Sequence, residues 1–234
     1  MAETLLAVKD LRVAFGDQVI LPSLSFELKA QDCLAVIGPN GSGKTILLKA
    51  LLGLIPYQGD IRWNRHARLG YVPQKVESDR RLPMKLRDLL RTKVTILKLR
   101  ETEVDAVSSE IGLTPEVLDA NLGHLSGGQF QKALIAFALL GQPNVLLFDE
   151  PTASLDELTQ ERVYDLLHSL QKDKNMTVIL VSHDLSVVYR YASMVLCLSS
   201  GKPCMGPPKE ILTPAMLEEL YAAPARYYRH MEHR

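Results

Sequence analysis

The stretch that decides the fold is Gly38-Pro39-Asn40-Gly41-Ser42-Gly43-Lys44-Thr45. Its spacing, Gly, four residues, then Gly-Lys-Thr, lets backbone N–H groups surround phosphate oxygens at the N-terminus of a helix. An apolar run, Cys33–Ile37, precedes the stretch, and a good helix former beginning Ile-Leu-Leu-Lys follows it. The order of strand, loop and helix therefore predicts a phosphate-binding loop. We expect Lys44 to reach the β- and γ-phosphates of a nucleotide and the Thr45 hydroxyl to coordinate Mg²⁺.

A second motif lies about a hundred residues further along, where the apolar run Val145–Phe148 leads directly into Asp149 and Glu150. In open parallel sheets, ligands bind at the carboxyl ends of the strands. The position predicts that Asp149 completes the Mg²⁺ shell and that Glu150 reaches the attacking water. The alternative, a solvated acidic pair at a strand end, is weaker beside a phosphate loop that needs such a partner.

The third motif is Leu125-Ser126-Gly127-Gly128-Gln129. Ser126 is a good helix cap, and Gln129 stands at the position that completes a reciprocal cap. Two glycines directly after a cap are costly for a helix unless the backbone must approach something closely. The pattern predicts a helix over 130–140 whose exposed N-terminus suits an anion such as a γ-phosphate.

The rest of the chain predicts an α/β protein with one helical insertion. Further strands are predicted at Leu5–Val8, Leu24–Leu28, Thr177–Val181 and Met194–Leu198, and helices at Glu157–Gln171, Leu185–Tyr191 and Pro214–Tyr221. Alternation of strands and helices in the last third is typical of a parallel sheet. The middle, about 85–140, is charge-rich and amphipathic, and includes the helix predicted at Glu101–Ile111.

Composition excludes several classes of protein. The 234 residues are 47% hydrophobic, and 27 Lys and Arg balance 27 Asp and Glu, so no net basic field attracts nucleic acid. Three cysteines without metal-ligand spacing predict reduced structural thiols. The N-terminus lacks the pattern of a signal peptide, and the apolar runs fall short of the roughly 20 residues that span a bilayer. We expect a cytosolic chain whose membrane association depends on a partner.

Together these motifs resemble the ATP-binding cassette ATPases, with Gly-Pro-Asn-Gly-Ser-Gly-Lys-Thr, Leu-Ser-Gly-Gly-Gln and Leu-Phe-Asp-Glu-Pro-Thr in the family's order over residues 5–205. The resemblance implies an α/β fold with a P-loop NTPase (RecA-like) core, an antiparallel β subdomain and an inserted α-helical subdomain. It implies one ATPase domain over 1–234: a nucleotide-binding core of 1–80 and 141–205, a helical subdomain of 81–140, and a C-terminal tail of 206–234.

The resemblance also implies roles for single residues. Phe15 matches the aromatic that stacks on adenine, Gln74 the glutamine that contacts Mg²⁺ and senses the membrane partner, and His183 the histidine at the γ-phosphate. Catalysis would rest on Glu150, His183, Lys44 and Gln74, with Mg²⁺ held by Thr45, Gln74 and Asp149. ATP would lie on Phe15 and residues 38–46, including Ile46, while Ser126, Gly127, Gly128 and Gln129 close over the γ-phosphate of a second copy. Ordinary core for Phe15 and an ordinary loop amide for Gln74 are the alternatives.

Within the family, the chain is similar to ATPases of zinc, manganese or iron-chelate importers. That likeness implies integral-membrane permease subunits and an extracytoplasmic solute-binding protein as partners, with the chain held by the permease on the cytoplasmic face of the inner or plasma membrane. Another importer, an exporter or lipid-handling system, a non-transport cassette ATPase and an ATP-binding scaffold are the alternatives. Lys132 and Phe137 stand where the family often has arginine. His230 and His233 are more often solvated than metal-ligating at such a terminus.

Overall fold

The computed structural model describes residues 3–74, 83–150, 156–199 and 203–221. These residues form two compact units. The first unit comprises the described parts of Met1–Ala67 and Thr177–Arg234, and the second comprises those of Arg68–Met176.

The strands are β1 Thr4–Phe15, β2 Gln18–Lys29, β3 Cys33–Ile37, β4 Gln58–Trp63, β5 Leu69–Val72, β6 Val145–Asp149, β7 Thr177–Val181, β8 Met194–Cys197 and β9 Cys204–Gly206. The α-helices are α1 Lys44–Leu51, α2 Leu86–Ile96, α3 Thr102–Glu110, α4 Pro115–Asp119, α5 Gly127–Leu139, α6 Glu157–Asp173, α7 Leu185–Tyr191, α8 Pro208–Ile211 and α9 Pro214–Tyr221, and a 3-10 turn covers Leu122–His124.

The first unit contains an antiparallel sheet in the order β2-β1-β4. Its strands alternate buried and exposed residues, as expected of a sheet with one solvated face. Trp63, the last residue of β4, donates its indole N–H to the carbonyl of Leu51 at 2.9 Å. That bond satisfies one of the carbonyls that the end of α1 leaves without an intrahelical partner.

The first unit also contains strands in the order β7-β3-β8-β9. The β3 strand pairs in parallel with β7, with Val36 opposite Val181, and with β8, with Ile37 opposite Cys197. Every residue of β3 and β7 is buried, as is typical of central parallel strands. The phosphate loop follows β3 and His183 follows β7, so both lie at the carboxyl ends of neighbouring strands.

The second unit is built on β5 and β6, which pair in parallel with Tyr71 opposite Leu147 and Val72 opposite Phe148. Residues 73 and 74 follow β5, and Glu150 follows β6, so two loops leave the sheet at one edge. The remaining elements of this unit are helical, with α2 contacting α3, α4 and α5. Within the described residues, none of the helices combines the length and apolar character that crossing a bilayer requires.

The predicted fold class is confirmed, while several element boundaries differ. The β1 and β2 strands continue well beyond the predicted Leu5–Val8 and Leu24–Leu28, because bulges interrupt the alternation on which the prediction relied. The β4 strand was missed since Gln58, Gly59 and Asp60 are residue types depleted in strands. The short strands β5 and β9 were missed as well. The division into core, helical subdomain and tail stays a prediction.

Replacement of a central β3 side chain should destabilise the protein far more than the same change at the surface. Leu34 is fully buried, whereas Leu54 is 62% exposed. We expect Leu34→Ala to lower the free energy of unfolding by about 2 to 5 kcal/mol, because it removes buried methyl groups and leaves a cavity. Leu54→Ala should change it by less than about 0.5 kcal/mol. Urea unfolding followed by circular dichroism measures both, and equal losses would contradict the placement of β3.

Candidate functional site

The phosphate loop folds around the side chain of Lys44, the first residue of α1. This side chain is 6% exposed, and its Nζ atom donates to the carbonyl oxygens of Gly38 at 3.0 Å and Pro39 at 3.1 Å. The ammonium group is therefore directed back over the loop instead of into solvent. A buried ammonium group beside a glycine-rich loop at a helix N-terminus supplies positive charge for binding a polyphosphate.

Two loop glycines are required by close packing. A Cβ atom at Gly38 would lie 2.2 Å from the carbonyl oxygen of Leu198, and one at Gly43 would lie 2.5 Å from a methyl group of Leu21. Both residues also have positive φ, +153° and +95°, which other residues adopt at a cost in energy. No other residue type fits these two positions without moving its surroundings.

The loop positions between the two glycines are partly open to solvent. Asn40 and Gly41 are exposed and Pro39 is half-buried. The Oγ atom of Ser42 is buried and has no hydrogen-bond partner among the described residues. A buried hydroxyl of this kind normally finds a partner, so the loop fits an anion with acceptor oxygens. Thr45 and Ile46 follow in the first turn of α1, each half-buried.

His183 lies exposed just beyond β7 and is fixed by its two neighbours. Ser182 is 2% exposed, and its Oγ atom accepts from the backbone N–H of Asp184 at 3.1 Å. Asp184 caps α7, because its Oδ1 atom accepts from the backbone N–H of Ser186 at 2.8 Å. The turn therefore holds the imidazole at the strand edge from which the phosphate loop also leaves.

Phe15 ends β1 with 48% of its surface exposed. This exposure excludes the alternative that Phe15 is ordinary core. A large aromatic left open at a strand end is available for stacking on a planar ligand.

In the second unit, Asp149 is 1% exposed and receives a hydrogen bond from Tyr71. The Tyr71 hydroxyl donates to Oδ2 of Asp149 at 3.3 Å. Burial, then the negative charge of Asp149, raises the pKa of Tyr71 well above its ordinary value. The phenol therefore stays protonated at physiological pH and remains a donor to the buried carboxylate.

Gln74 and Glu150 contact each other beyond the carboxyl ends of the paired strands β5 and β6. The Gln74 Nε2 atom donates to Oε2 of Glu150 at 2.8 Å. Glu150 has φ +39°, an uncommon conformation for a residue other than glycine. Such strain is found most often at functional sites. The structure therefore brings together two of the residues predicted to be catalytic.

The helix α5 begins with the predicted reciprocal cap. The Oγ atom of Ser126 accepts from the backbone N–H of Gln129 at 3.2 Å, and the backbone N–H of Ser126 donates to Oε1 of Gln129 at 2.9 Å. Ser126 and Gly127 are exposed, while a Cβ atom at Gly128 would lie 2.9 Å from a methyl group of Thr159 on α6. The helix therefore starts at Gly127, earlier than the predicted range of 130–140.

Lys132 and Phe137, the two departures from the family pattern, both contact other residues of the second unit. Lys132 donates to the carbonyl oxygen of Gly112 at 3.4 Å. The ring of Phe137 makes a cation–π contact with a lysine on another helix, since Nζ of Lys93 lies 4.6 Å from the ring centre. The same ammonium group donates to the carbonyl oxygen of Phe137. Burial lowers the pKa of Lys93. The Lys93 ammonium group therefore places a positive charge beside Phe137, although Phe137 itself is uncharged.

Sequence reasoning missed Tyr71 as a partner of Asp149. The only available signal was its place in Tyr-Val-Pro-Gln, three residues before Gln74.

The helix α6 begins with Asp156, whose carboxylate accepts from the backbone N–H of Thr159 at 3.0 Å. The neighbouring Ser154 and Leu155 lie outside the described residues, as do His230 and His233.

Comparisons with known proteins agree with these features. The family model described as ABC transporter matches residues 21–153. The zinc import ATP-binding protein ZnuC of Cereibacter sphaeroides is 38% identical over 213 residues, covering 89% of this chain and 84% of that protein. The protein of the same name from Rickettsia conorii is 31% identical and covers 100% of both chains. A solved chain described as an inward-facing metal-chelate type ABC transporter has a TM-score of 0.86 at 30% identity, covering 95% of this chain and 90% of that one.

A phosphate loop closed on a buried lysine, an acidic pair at a strand end and a capped Ser-Gly-Gly-Gln helix define a nucleoside triphosphatase of the α/β class. The chain belongs to the ABC transporter family, in which it is an ATP-binding ATPase.

Removal of the Tyr71 hydroxyl should weaken the support of Asp149. We expect Tyr71→Phe to lower the free energy of unfolding by about 1 to 3 kcal/mol, since a buried carboxylate loses a donor. Tyr57→Phe serves as the control because Tyr57 is 38% exposed. Urea unfolding of both variants gives the comparison, and a Tyr71→Phe protein as stable as wild type would show that this hydrogen bond has no net value.

Proposed function

We propose that this chain is the ATPase subunit that powers import of zinc through a separate permease. The observation that carries the proposal is the match to zinc import ATP-binding proteins over nearly the full chain, at 31–38% identity. The solved metal-chelate type transporter chain supports a cargo that contains a metal. Manganese and metal chelates are the nearest alternatives.

The proposed nucleotide site uses the residues of the phosphate loop. The loop of residues 38–46 would bind the phosphates through its backbone N–H groups, of which Pro39 has none, and through the Lys44 ammonium, and the exposed ring of Phe15 would stack on adenine. The Ser42 hydroxyl, buried without a partner among the described residues, would donate to a phosphate oxygen. Together these groups would supply the hydrogen-bond donors, the positive charge and the stacking surface that bind a nucleoside triphosphate.

The residues proposed to hold Mg²⁺ are Thr45, Gln74 and Asp149. A hydroxyl, an amide oxygen and a carboxylate are hard oxygen ligands, so this donor set fits the ion. When bound, Mg²⁺ would neutralise charge on the phosphates. The Tyr71 hydroxyl would fix the orientation of the Asp149 carboxylate, as it does in the structure.

The proposed reaction is in-line attack of water on the γ-phosphorus. Glu150 would accept the proton of that water, and Gln74 would hold the Glu150 carboxylate through the 2.8 Å hydrogen bond. His183 would contact the γ-phosphate from the turn after β7. Most of the rate enhancement would come from positioning and from stabilisation of charge on the transferring phosphoryl group.

The proposed active form is a dimer of two copies. The N-terminus of α5, with Ser126 and Gly127 exposed, would close over the γ-phosphate held by the other copy. The permease would hold the dimer at the cytoplasmic face of the membrane, and an extracytoplasmic solute-binding protein would deliver the metal. Hydrolysis would open the dimer and reset the permease.

Replacement of the proposed base should separate ATP binding from turnover. We expect Glu150→Gln to bind ATP normally, to hydrolyse it at least about a hundredfold more slowly, and to accumulate a nucleotide-bound dimer. Phosphate release and analytical ultracentrifugation measure the two effects. Glu161→Gln, which changes an exposed glutamate of α6, is the matched control and should leave both unchanged. Normal turnover in Glu150→Gln would disprove the assignment of the base.

Cargo is tested in proteoliposomes that contain the chain with its permease and solute-binding protein. We expect ATP-dependent accumulation of zinc, faster than that of manganese, because the matched relatives import zinc. Lys44→Ala should abolish uptake by weakening nucleotide binding, which shows that the accumulation depends on this subunit. Uptake of manganese alone, or of neither metal, would contradict the proposed cargo.

A further inference from the structure

Cys197 and Cys204 face each other across two antiparallel strands of the first unit. They are direct partners in the register of β8 and β9. The third cysteine, Cys33, lies at the start of β3 and takes no part in this pair.

The two thiols differ in access to solvent. Cys197 is 1% exposed and belongs to a buried cluster with Ile37, Val188 and Leu217. Cys204 packs on the edge of that cluster and is half-buried. Burial raises the pKa of Cys197 and shields its thiol from oxidants in solution, so Cys197 reacts only with a group already held beside it. Cys204 is therefore the thiol that a small molecule reaches first.

The position of the pair suits a disulfide. Directly opposite residues on antiparallel strands have Cα atoms about 4.5 to 5.5 Å apart, within the range that a disulfide spans. Closure draws the two opposed side chains together across the strand pair and pulls the end of β8 toward β9.

We propose that Cys197 and Cys204 form a redox-active pair that closes to an intrachain disulfide in the presence of a low-molecular-weight disulfide, and that closure weakens nucleotide binding. The Cys204 sulfur, after losing its proton, attacks the oxidant, whose S–S bond breaks and releases one small thiol. The Cys197 sulfur then attacks the mixed disulfide, loses its proton and expels the second small thiol. Two protein thiols are oxidised, and one small disulfide is reduced to two thiols.

The link to nucleotide binding runs through Leu198, the residue after Cys197. Its backbone N–H donates to the carbonyl of Ile37 at 2.8 Å. Its carbonyl oxygen occupies the space where a Cβ atom of Gly38 would lie, at 2.2 Å. No room remains between the end of β8 and the start of the phosphate loop, so a shift of Cys197 toward Cys204 moves the backbone on which that loop rests.

The test uses the full chain treated with glutathione disulfide under native conditions. Free thiols are then alkylated, and intact mass and peptide mapping locate the link. We expect a protein lighter by two hydrogen atoms, with Cys197 joined to Cys204. ADP affinity, measured by titration calorimetry, should fall at least about fivefold on oxidation and recover on reduction.

Two single variants make the result specific. Cys33→Ser removes a cysteine outside the pair and should still close and lose affinity. Cys204→Ser should neither close nor respond to the oxidant. A stable glutathione adduct on Cys204 without an internal link would overturn the proposal, and so would closure that leaves ADP affinity unchanged. The mapping is independent of the ATPase assignment, whereas failure of the reduced protein to bind ADP would count against the proposed function.

Discussion

The structure depends on one steric constraint, the absence of side chains at Gly38 and Gly43. At these positions the backbone approaches Leu198 and Leu21 too closely for a Cβ atom. The chain can therefore leave β3, turn back on itself and enter α1 within a few residues. Lys44 follows directly and extends over the carbonyls of that turn. Looser packing would allow other residues there, but it would leave the ammonium without a fixed position.

Much of the fold and of the site could be predicted because the deciding residues are close in sequence. The spacing of Gly38, Gly43 and Lys44 fixes a strand, a loop and a helix at once. Continuous apolar runs predicted β3, β6 and β7, since central parallel strands are buried on both faces. The cap of α5 involves residues three apart, Ser126 and Gln129, so local pattern was sufficient to predict both of its hydrogen bonds.

Pairings between distant segments could not be predicted in this way. The contact of Tyr71 with Asp149 joins residues 78 positions apart, and that of Gln74 with Glu150 joins residues 76 apart. Both follow from the parallel pairing of β5 with β6, and β5 is a four-residue strand with little pattern of its own. The positive charge beside Phe137 likewise comes from Lys93, on a different helix. Register and helix packing decide these contacts, and neither is visible in a single stretch of sequence.

The Ser126 hydroxyl that caps α5 can take part in two hydrogen bonds at once. The Oγ atom of Ser126 accepts a hydrogen bond from the backbone N–H of Gln129 through a lone pair. A hydroxyl has one proton besides its lone pairs, and that proton is not used by the cap. The same atom can hold its own helix in place and donate to an anion supplied by another molecule. Engagement and release of that anion would then leave the helix terminus intact, so the contact can be made and broken many times without local unfolding.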